Sequence, residues 1–386
     1  MTSIYILSAA RTPIGKFQGS LATVSAPMLG GIAIKEAIAR ASLKQEPNHV
    51  IMGNVLIAGI GQAPARQAAH HAGLTRDVGA ITLGKVCGSG MRAIMDAHNG
   101  IVANEWQAVV AGGMESMSNV PYLLPSARTG ARLGHAQMID AIINDGLWDP
   151  YHNQHMGSCA ELCAKKYLFT REAQDAYALV SYRRAQSGQS ADEIAAVDVA
   201  GRKETVRVTT DEEPFAAPLE KITTLRPAFD PQGTVTAANA SKINDGAAAL
   251  VLSNETIAKT GKPLARIVAT ASHAQEPQWF TTAPIEAIRK ALAKAQLRIE
   301  DIGLWEINEA FAVVTMAAMH DLNLDPERVN VRGGAVAMGH PIGASGARIV
   351  VTLLHALRAR REKYGCAAIC IGGGEATAII VENLGA

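Results

Sequence analysis

Four side chains suited to group transfer stand where apolar, strand-like runs give way to glycine-rich loops or helices. Cys87 falls in "LGKVCGSGMRAIMDA" (83–97) and His340 in "GGAVAMGHPIGASGAR" (333–348). Cys370 comes just ahead of Gly372-Gly373-Gly374, and Asn308 sits in "WEINEAF" (305–311). A lone cysteine is most often a packing residue, since free Cys is among the most buried types. At the mouth of a helix, however, the backbone N–H groups favour negative charge, and a thiol tends toward thiolate. The Gly-Ser-Gly after Cys87 lets a ligand approach the backbone. A histidine held among glycines ahead of a helix suits proton transfer near neutral pH. Cys370 taken singly reads as a small core residue, and Asn308 as a cap. Taken together, two thiols, an imidazole and a carboxamide suit acyl transfer with carbon–carbon bond chemistry. One thiolate takes the acyl group, a second acid/base handles a proton at carbon, and hydrogen-bond donors stabilise an oxyanion or enolate.

Such groups need a scaffold that brings distant segments together, and the chain contains one twice. "APMLGGIAIKEAIARASL" begins at Ala26 and "APIEAIRKALAKAQL" at Ala283, each an amphipathic helical pattern ending in leucine, Leu43 and Leu297. Asn54 and Asn308 each follow their leucine by 11 residues. Ser89-Gly90-Met91-Arg92 matches Ser345-Gly346-Ala347-Arg348, and "VVAGGMES" (109–116) echoes "ICIGGGEA" (369–376). Four landmarks in one order imply two similar α/β halves, about 1–118 and 265–386. The strand–helix alternation implies mostly parallel, buried sheets. Ligands then gather at strand carboxyl ends. Residues 119–242 carry prolines and charge-rich turns and read as an inserted substrate-gripping domain. Residues 243–264 return to buried-strand character and rejoin the first half.

Composition narrows the field. The chain has 386 residues, 48% hydrophobic but only 4% aromatic, so its core is aliphatic. A net charge of +1 and a pI near 7.7 argue against a broad nucleic-acid surface. "MTSIYILSAARTPIG" reads as a first strand, not a signal peptide. The longest apolar helical run, Ala310–Met319, is too short to cross a membrane. Five scattered cysteines read as reduced thiols in a cytoplasmic setting. Cys159/Cys163 and Cys366/Cys370 share a C-x3-C spacing, but their separation and different surroundings favour packing over zinc.

"VCGSGMRAI", "WEINEAFA", "GGAVAMGHPIGASGARI" and "CIGGGEA" resemble the four signature blocks of thiolases, most of all the short-chain acetoacetyl-CoA thiolases. The resemblance extends over nearly the whole chain and includes "AGGMESMSNVPY", "HMGSCAE" and "GTVTAANASKINDGAAALVL". It implies two βαβαβαββ halves packed as a five-layered αβαβα core with an inserted loop domain, assembled as a homotetramer. It also implies reversible condensation of two acetyl-CoA to acetoacetyl-CoA and CoA, with CoA as substrate or product rather than bound cofactor. By position, Cys87 would be acylated and His340 would activate it. Cys370 would be the acid/base. His340 with a water held by Asn308 would form one oxyanion hole, and the N–H groups of Cys87 and Gly372 the other. Leu147, His155, Met156, Phe229, Ala237, Ser241 and Phe311 fall where the family contacts CoA or the acyl group. One subgroup binds potassium, at positions that map to Tyr182, Ala237, Ala238, Ala240 and Val336.

Two places depart from the family pattern. Gly372-Gly373-Gly374-Glu375-Ala376 ends in alanine where glycine is common. Glu212-Glu213 is followed by Pro214-Phe215, not by a basic residue near the CoA phosphates; Lys221 or Arg226 could stand in, although a solvated surface role is the simpler reading of either. Competing readings are a thiolase of broader chain length in fatty-acid β-oxidation, a β-ketoacyl synthase and a non-catalytic CoA-binding scaffold. A dinucleotide enzyme built on Gly88-Ser89-Gly90 and Ala93 is a weaker reading, since a lone G-x-G-x-x-A is not specific.

Overall fold

The structure is a computed structural model that describes residues 3–187, 191–201 and 203–385. Nine principal strands form one continuous sheet. In chain order they are β1 (Ile4–Arg11), β2 (His49–Gly53), β3 (Gly79–Leu83), β4 (Ala108–Ser116), β5 (Asn244–Ser253), β6 (Ala265–Ala274), β7 (Leu304–Ile307), β8 (Tyr364–Ile371) and β9 (Glu375–Asn383). Their order across the sheet is β7-β8-β9-β6-β1-β5-β4-β2-β3. Reading outward from the β1/β6 junction gives the same sequence of strands on each side. The duplication read from the sequence is therefore present in the topology.

The repeat is not perfect. The partner of β3 in the second half is reduced to a single parallel bridge, Trp305 with Val329. The expectation of mostly parallel sheets also needs correcting. Among the principal strands three interfaces are parallel (β2–β3, β2–β4, β7–β8) and five are antiparallel (β1–β5, β1–β6, β4–β5, β6–β9, β8–β9). The antiparallel ones arise where the chain returns through a glycine turn (β8 to β9) or after the long insertion (β5). Alternating apolar runs alone do not reveal either return. Full burial of β5 on both faces made it resemble a parallel core strand.

Helices α1 (Ala26–Ala41) and α2 (Pro64–His71) cover one outer face, with Leu29, Ile34 and Ala37 buried against Val50, Met52 and Val110. After α3 (Ser89–Val102), α4 (Met156–Tyr167) and α5 (Arg171–Gln186) comes α6 (Ala283–Ala295), which packs on the other outer face with Ile285, Ile288 and Leu292 inward. Helix α7 (Ala312–Leu322) shares that side. A short helix, α8 (Ala335–Met338), leads into α9 (Ile342–Arg360). Between the sheet's two halves lie α3 and α9, whose Ile94, Ile101, Ile349 and Leu353 join one aliphatic core with strands of both halves. Each such side chain contributes about 1.5–3 kcal/mol by leaving water.

The repeated Ser-Gly pairs are where these two helices cross. A Cβ on Gly90 would stand 2.7 Å from Ala347 N, and one on Gly346 would stand 2.5 Å from Met91 N. Each half therefore supplies the glycine that lets the other helix's backbone approach.

The segment between β4 and β5 is stapled to the core by buried charge. Arg11 donates to Glu193 Oε2 (2.8 Å) and to Asp211 Oδ1 (2.7 Å), while Arg332 donates to Glu193 Oε1 (2.7 Å). The guanidinium of Arg332 and the hydroxyl of Thr352 complete the shell around Glu193.

Candidate active site

The turn carrying Cys87 is tight and strained. Val86, a β-branched residue, has φ +43, a region such residues rarely occupy. Ser89 clamps the turn: its Oγ accepts from Lys85 N (2.8 Å) and donates to Val86 O (2.7 Å). The Gly88 and Ser89 N–H groups donate to Lys85 O and Val86 O. The Lys85 ammonium pairs with Glu375, the first residue of β9 after the glycine loop of the other half. Sequence reasoning passed over Val86; a β-branched residue wedged between Lys85 and Cys87 carries no pattern that marks a positive φ.

The expected thiolate is not the resting state. Burial pushes the Cys87 thiol up to about 11, against the opposing pull of the Gly372 and Cys87 N–H groups on its sulfur. The helix terminus fails to lower it because its first N–H groups are engaged in the turn, leaving desolvation to win. Gly372, one of the two expected oxyanion donors, lines the same cavity as Cys87.

His340 is fully enclosed. Gly339, at φ +101 and with Asn244 where a Cβ would be, makes the approach that only glycine permits. The His340 N–H donates to Lys242 O and to Asn244 Oδ1, each at 3.0 Å. Ser345 Oγ donates to Pro341 O (2.9 Å), so it accepts from His340 Nδ1, 2.6 Å away. This arrangement places the proton on Nδ1 and leaves Nε2 as a free base. Nε2 has no hydrogen-bond partner. Burial, with Arg348 nearby, lowers the imidazole's pKa to about 3, so it too rests neutral.

Cys87, His340 and Gly372 line one narrow cavity of about 80 Å³. Leu147, His155, Met156, Phe229, Ser241 and Phe311 share its wall. The His155 ring stacks on Phe229 with centroids 4.8 Å apart, and His155 Nδ1 accepts from Gly157 N (3.0 Å). Cys370 packs with Met156, Phe280 and Phe311 of this wall, and neither Cys370 nor Asn308, both wholly buried, lines the cavity itself. Burial raises the Cys370 thiol well above its ordinary value, with the charge of Cys87 as the next cause. Neither side-chain polar atom of Asn308 has a partner. Buried amides without partners commonly hold ordered water. Its counterpart Asn54 differs: Nδ2 donates to Glu115 Oε1 (2.6 Å), and Glu115 also accepts from Gly343 N (2.9 Å). The duplicated asparagines have thus taken different work.

Other expected positions lie outside this cavity. Ala237 is exposed and does not line it, and neither do Lys221 and Arg226, which were assigned to the CoA phosphates. Glu212 turns away to accept from Lys16 N (3.1 Å) and Ser20 N (3.0 Å). Alanine at 376 causes no difficulty, because the left-handed turn is made by Gly373 (φ +89) and Gly374 (φ +84) and Ala376 is already in β9. The potassium positions gather around Lys242: Tyr182, Ala238 and Val336 pack in one cluster, but Lys242 Nζ donates to Val336 O (2.8 Å) and to the Tyr182 hydroxyl. Those two oxygens are therefore already engaged, and the site does not fit a potassium ion. Lys242 and Met117, which sit inside two of the quoted family blocks without being singled out there, also line the cavity, as does Phe280, which lies in none of them. A larger hollow of about 650 Å³, beside Arg40, Asp192 and His355, contains no thiol and lies away from these groups.

The five cysteines are all free. Among the described residues no three His, Cys, Asp or Glu side chains are grouped to hold a metal, and no helix is long and apolar enough to cross a membrane.

Comparison with known proteins agrees over the whole length. Residues 4–256 match the family described as "Thiolase, N-terminal domain", and residues 261–383 match "Thiolase, C-terminal domain". A relative from Escherichia coli (strain K12), named acetyl-CoA acetyltransferase, is 51% identical over 100% of this chain and 100% of its own length. One of the same name from Cupriavidus necator is 49% identical over 99% of this chain and 100% of its own. Relatives include a cytosolic form from Gibberella zeae and a mitochondrial one from Aspergillus fumigatus. The crystal structure of Acat5 thiolase from Ascaris suum, in complex with coenzyme A, superposes with a TM-score of 0.94 at 46% identity, covering 99% of this chain and 100% of that one. With a duplicated α/β core, matching models over both halves and relatives near half identity, the chain belongs to the thiolase family.

Proposed function

We propose that the chain is an acetyl-CoA C-acetyltransferase, condensing two acetyl-CoA to acetoacetyl-CoA and CoA, or running the thiolysis, through an S-acetyl group on Cys87. One observation carries the reading: Cys87, Gly372 and His340, whose Nε2 has no hydrogen-bond partner, line one cavity. The names of the full-length relatives, and the coenzyme A bound by the Ascaris thiolase, support the substrate class.

In the first half-reaction Nε2 of His340 takes the Cys87 proton as Sγ attacks the thioester carbonyl. Two neutral groups replace a costly buried ion pair until substrate arrives, so little charge is desolvated in the resting site. Charge on the tetrahedral oxygen faces the N–H groups of Cys87 and Gly372. The carbon–sulfur bond to CoA breaks, and Cys370 gives the departing CoA sulfur a proton. In the second half-reaction the Cys370 thiolate removes a proton from the methyl carbon of a second acetyl-CoA. Burial makes that thiolate a strong base, which a carbon acid requires. The enolate oxygen faces His340 and a water on Asn308. The enolate carbon attacks the acetyl group on Cys87, whose sulfur leaves and recovers its proton from His340. Protons and bonds then balance over the cycle.

The segment 119–242 is the loop domain that grips CoA in this reading, with 1–118 plus 243–264 and 265–386 as the two halves. Exposed Tyr122, Leu124, Leu133 and Met138 on that loop support self-association as a homotetramer. The five free thiols support a cytoplasmic setting. The narrow cavity between Met156, His155 and Phe311 supports a short acyl chain over a broad-range enzyme of fatty-acid metabolism.

The test is a thiolysis series: acetoacetyl-CoA beside longer and 2-methyl-branched 3-ketoacyl-CoA, with a malonyl thioester as the condensation control. Preference for acetoacetyl-CoA supports the reading. Equal or better rates on long chains, or decarboxylating condensation of the malonyl unit, overturn it.

A further inference from the structure

Lys242 is tied at both ends. Its carbonyl accepts the His340 N–H (3.0 Å), and its Nζ donates to Val336 O (2.8 Å) and the Tyr182 hydroxyl. The ammonium also lies 5.0 Å from the Tyr182 ring centroid, close enough for cation–π attraction. Glu213 and Glu309 face it through space. Val336 is gripped from the opposite sign too, since its N–H donates to Glu309 Oε2 (3.1 Å). Glu309 is held by the Tyr177 and Ser181 hydroxyls (2.8 Å each) and by Asn330 Nδ2 (2.9 Å). Helix α8, which carries Val336, runs straight into Gly339 and His340.

A half-buried monovalent charge held by a carbonyl and a phenol oxygen is the environment a bound alkali cation would have. Here the charge is covalently attached. We propose that Lys242 is a tethered cation that takes the place of a free potassium ion and positions the His340 loop. It is a positioning residue: the ammonium fixes α8 against α5, and its own carbonyl fixes the His340 backbone. No free ion then needs to be recruited, and loss of the side chain leaves a hole with cation-binding oxygens around it.

The inference goes beyond the acyl-transfer reading, and its first readout does not depend on that reading. Thermal unfolding midpoints of the full chain are measured in potassium, sodium and lithium chloride at matched ionic strength. The wild-type midpoint is expected to be the same in all three. Lys242→Ala is expected to unfold earlier in lithium and to recover saturably on titration with potassium. Lys242→Met, which fills the hole without charge, should be destabilised with no recovery. In thiolysis assays Lys242→Ala should lose kcat/KM by about tenfold or more in lithium, as when a supporting group is removed, and regain most of it in potassium. A potassium-specific rise in the wild-type midpoint overturns the proposal. So does a folded Lys242→Ala whose midpoint ignores the cation. If Lys242→Ala does not fold, the wild-type titration and Lys242→Met still decide. Absence of thiolysis in every protein would count against the acyl-transfer reading alone.

Discussion

Ser345 Oγ lies 2.6 Å from His340 Nδ1 and in turn donates to Pro341 O. The hydroxyl therefore accepts from the imidazole, and Nε2 is left to act as base. Its counterpart Ser89 performs the same service for the Cys87 turn, donating to Val86 O and accepting from Lys85 N. One serine, duplicated, orients the base in one half and the nucleophile in the other.

Ser345→Ala should lower kcat by about 10–100-fold, by analogy with loss of the partner that orients a metal-bound imidazole. KM should move little, because the side chain does not line the cavity. Ser345→Thr, which keeps the hydroxyl, should recover most of the rate. A normal kcat in Ser345→Ala would remove the hydroxyl from the mechanism.

Reactivity of Cys87 in the free protein should rise steeply with pH. The thiol is pushed up to about 11, and the neighbouring imidazole is lowered to about 3, so neither carries charge near neutrality. The sign is that of an acid whose charged form is disfavoured: the thiolate fraction, and with it the alkylation rate by iodoacetamide, climbs through the alkaline range. A rate that has already levelled off below neutral pH would mean a preformed thiolate–imidazolium pair.

Gly90→Ala and Gly346→Ala should each destabilise by about 1–3 kcal/mol through overpacking. The added methyl meets backbone of the opposing helix, not a flexible side chain. Urea unfolding measures this. A midpoint shift equivalent to less than about 0.5 kcal/mol, the scale of a neutral surface change, would show that the crossing is looser than described.

Glu193→Ala should cost about 3–5 kcal/mol: Arg11 keeps Asp211, but its Nε, Arg332 and the Thr352 hydroxyl each lose a buried acceptor. Glu193→Gln should cost less, because it keeps one acceptor. Equal stability for both variants in thermal unfolding would contradict the role given to that pair.

The duplication was legible because paired landmarks recur in the same order at nearly the same spacing: Asn54 with Asn308, and Gly90 with Gly346. The structure gives that spacing its cause, since the glycines are where α3 and α9 cross. Cys87, His340 and Gly372 were legible because glycine-rich junctions mark where backbone and ligand meet. Strand direction was not, because burial on both faces looks alike in parallel and antiparallel strands. The thiol's protonation was misjudged for a related reason. Position at a helix terminus can be read from sequence, but which N–H groups are already engaged cannot. Lys242 escaped notice because one basic residue in an alanine-rich loop has no pattern. Its meaning comes from Tyr182 and Val336, 60 and 94 residues away.

The central claim concerns which sulfur carries the acyl group. Mass spectrometry of the intact chain after mixing with acetyl-CoA reads it directly. Wild type should gain one acetyl group on Cys87. Cys370→Ala should gain it too, since CoA can leave with a proton from solvent, yet form no acetoacetyl-CoA. Cys87→Ser should gain none on the assay's timescale. An acetyl adduct forming at the normal rate in Cys87→Ser, or mapping to Cys370 in wild type, would contradict the account.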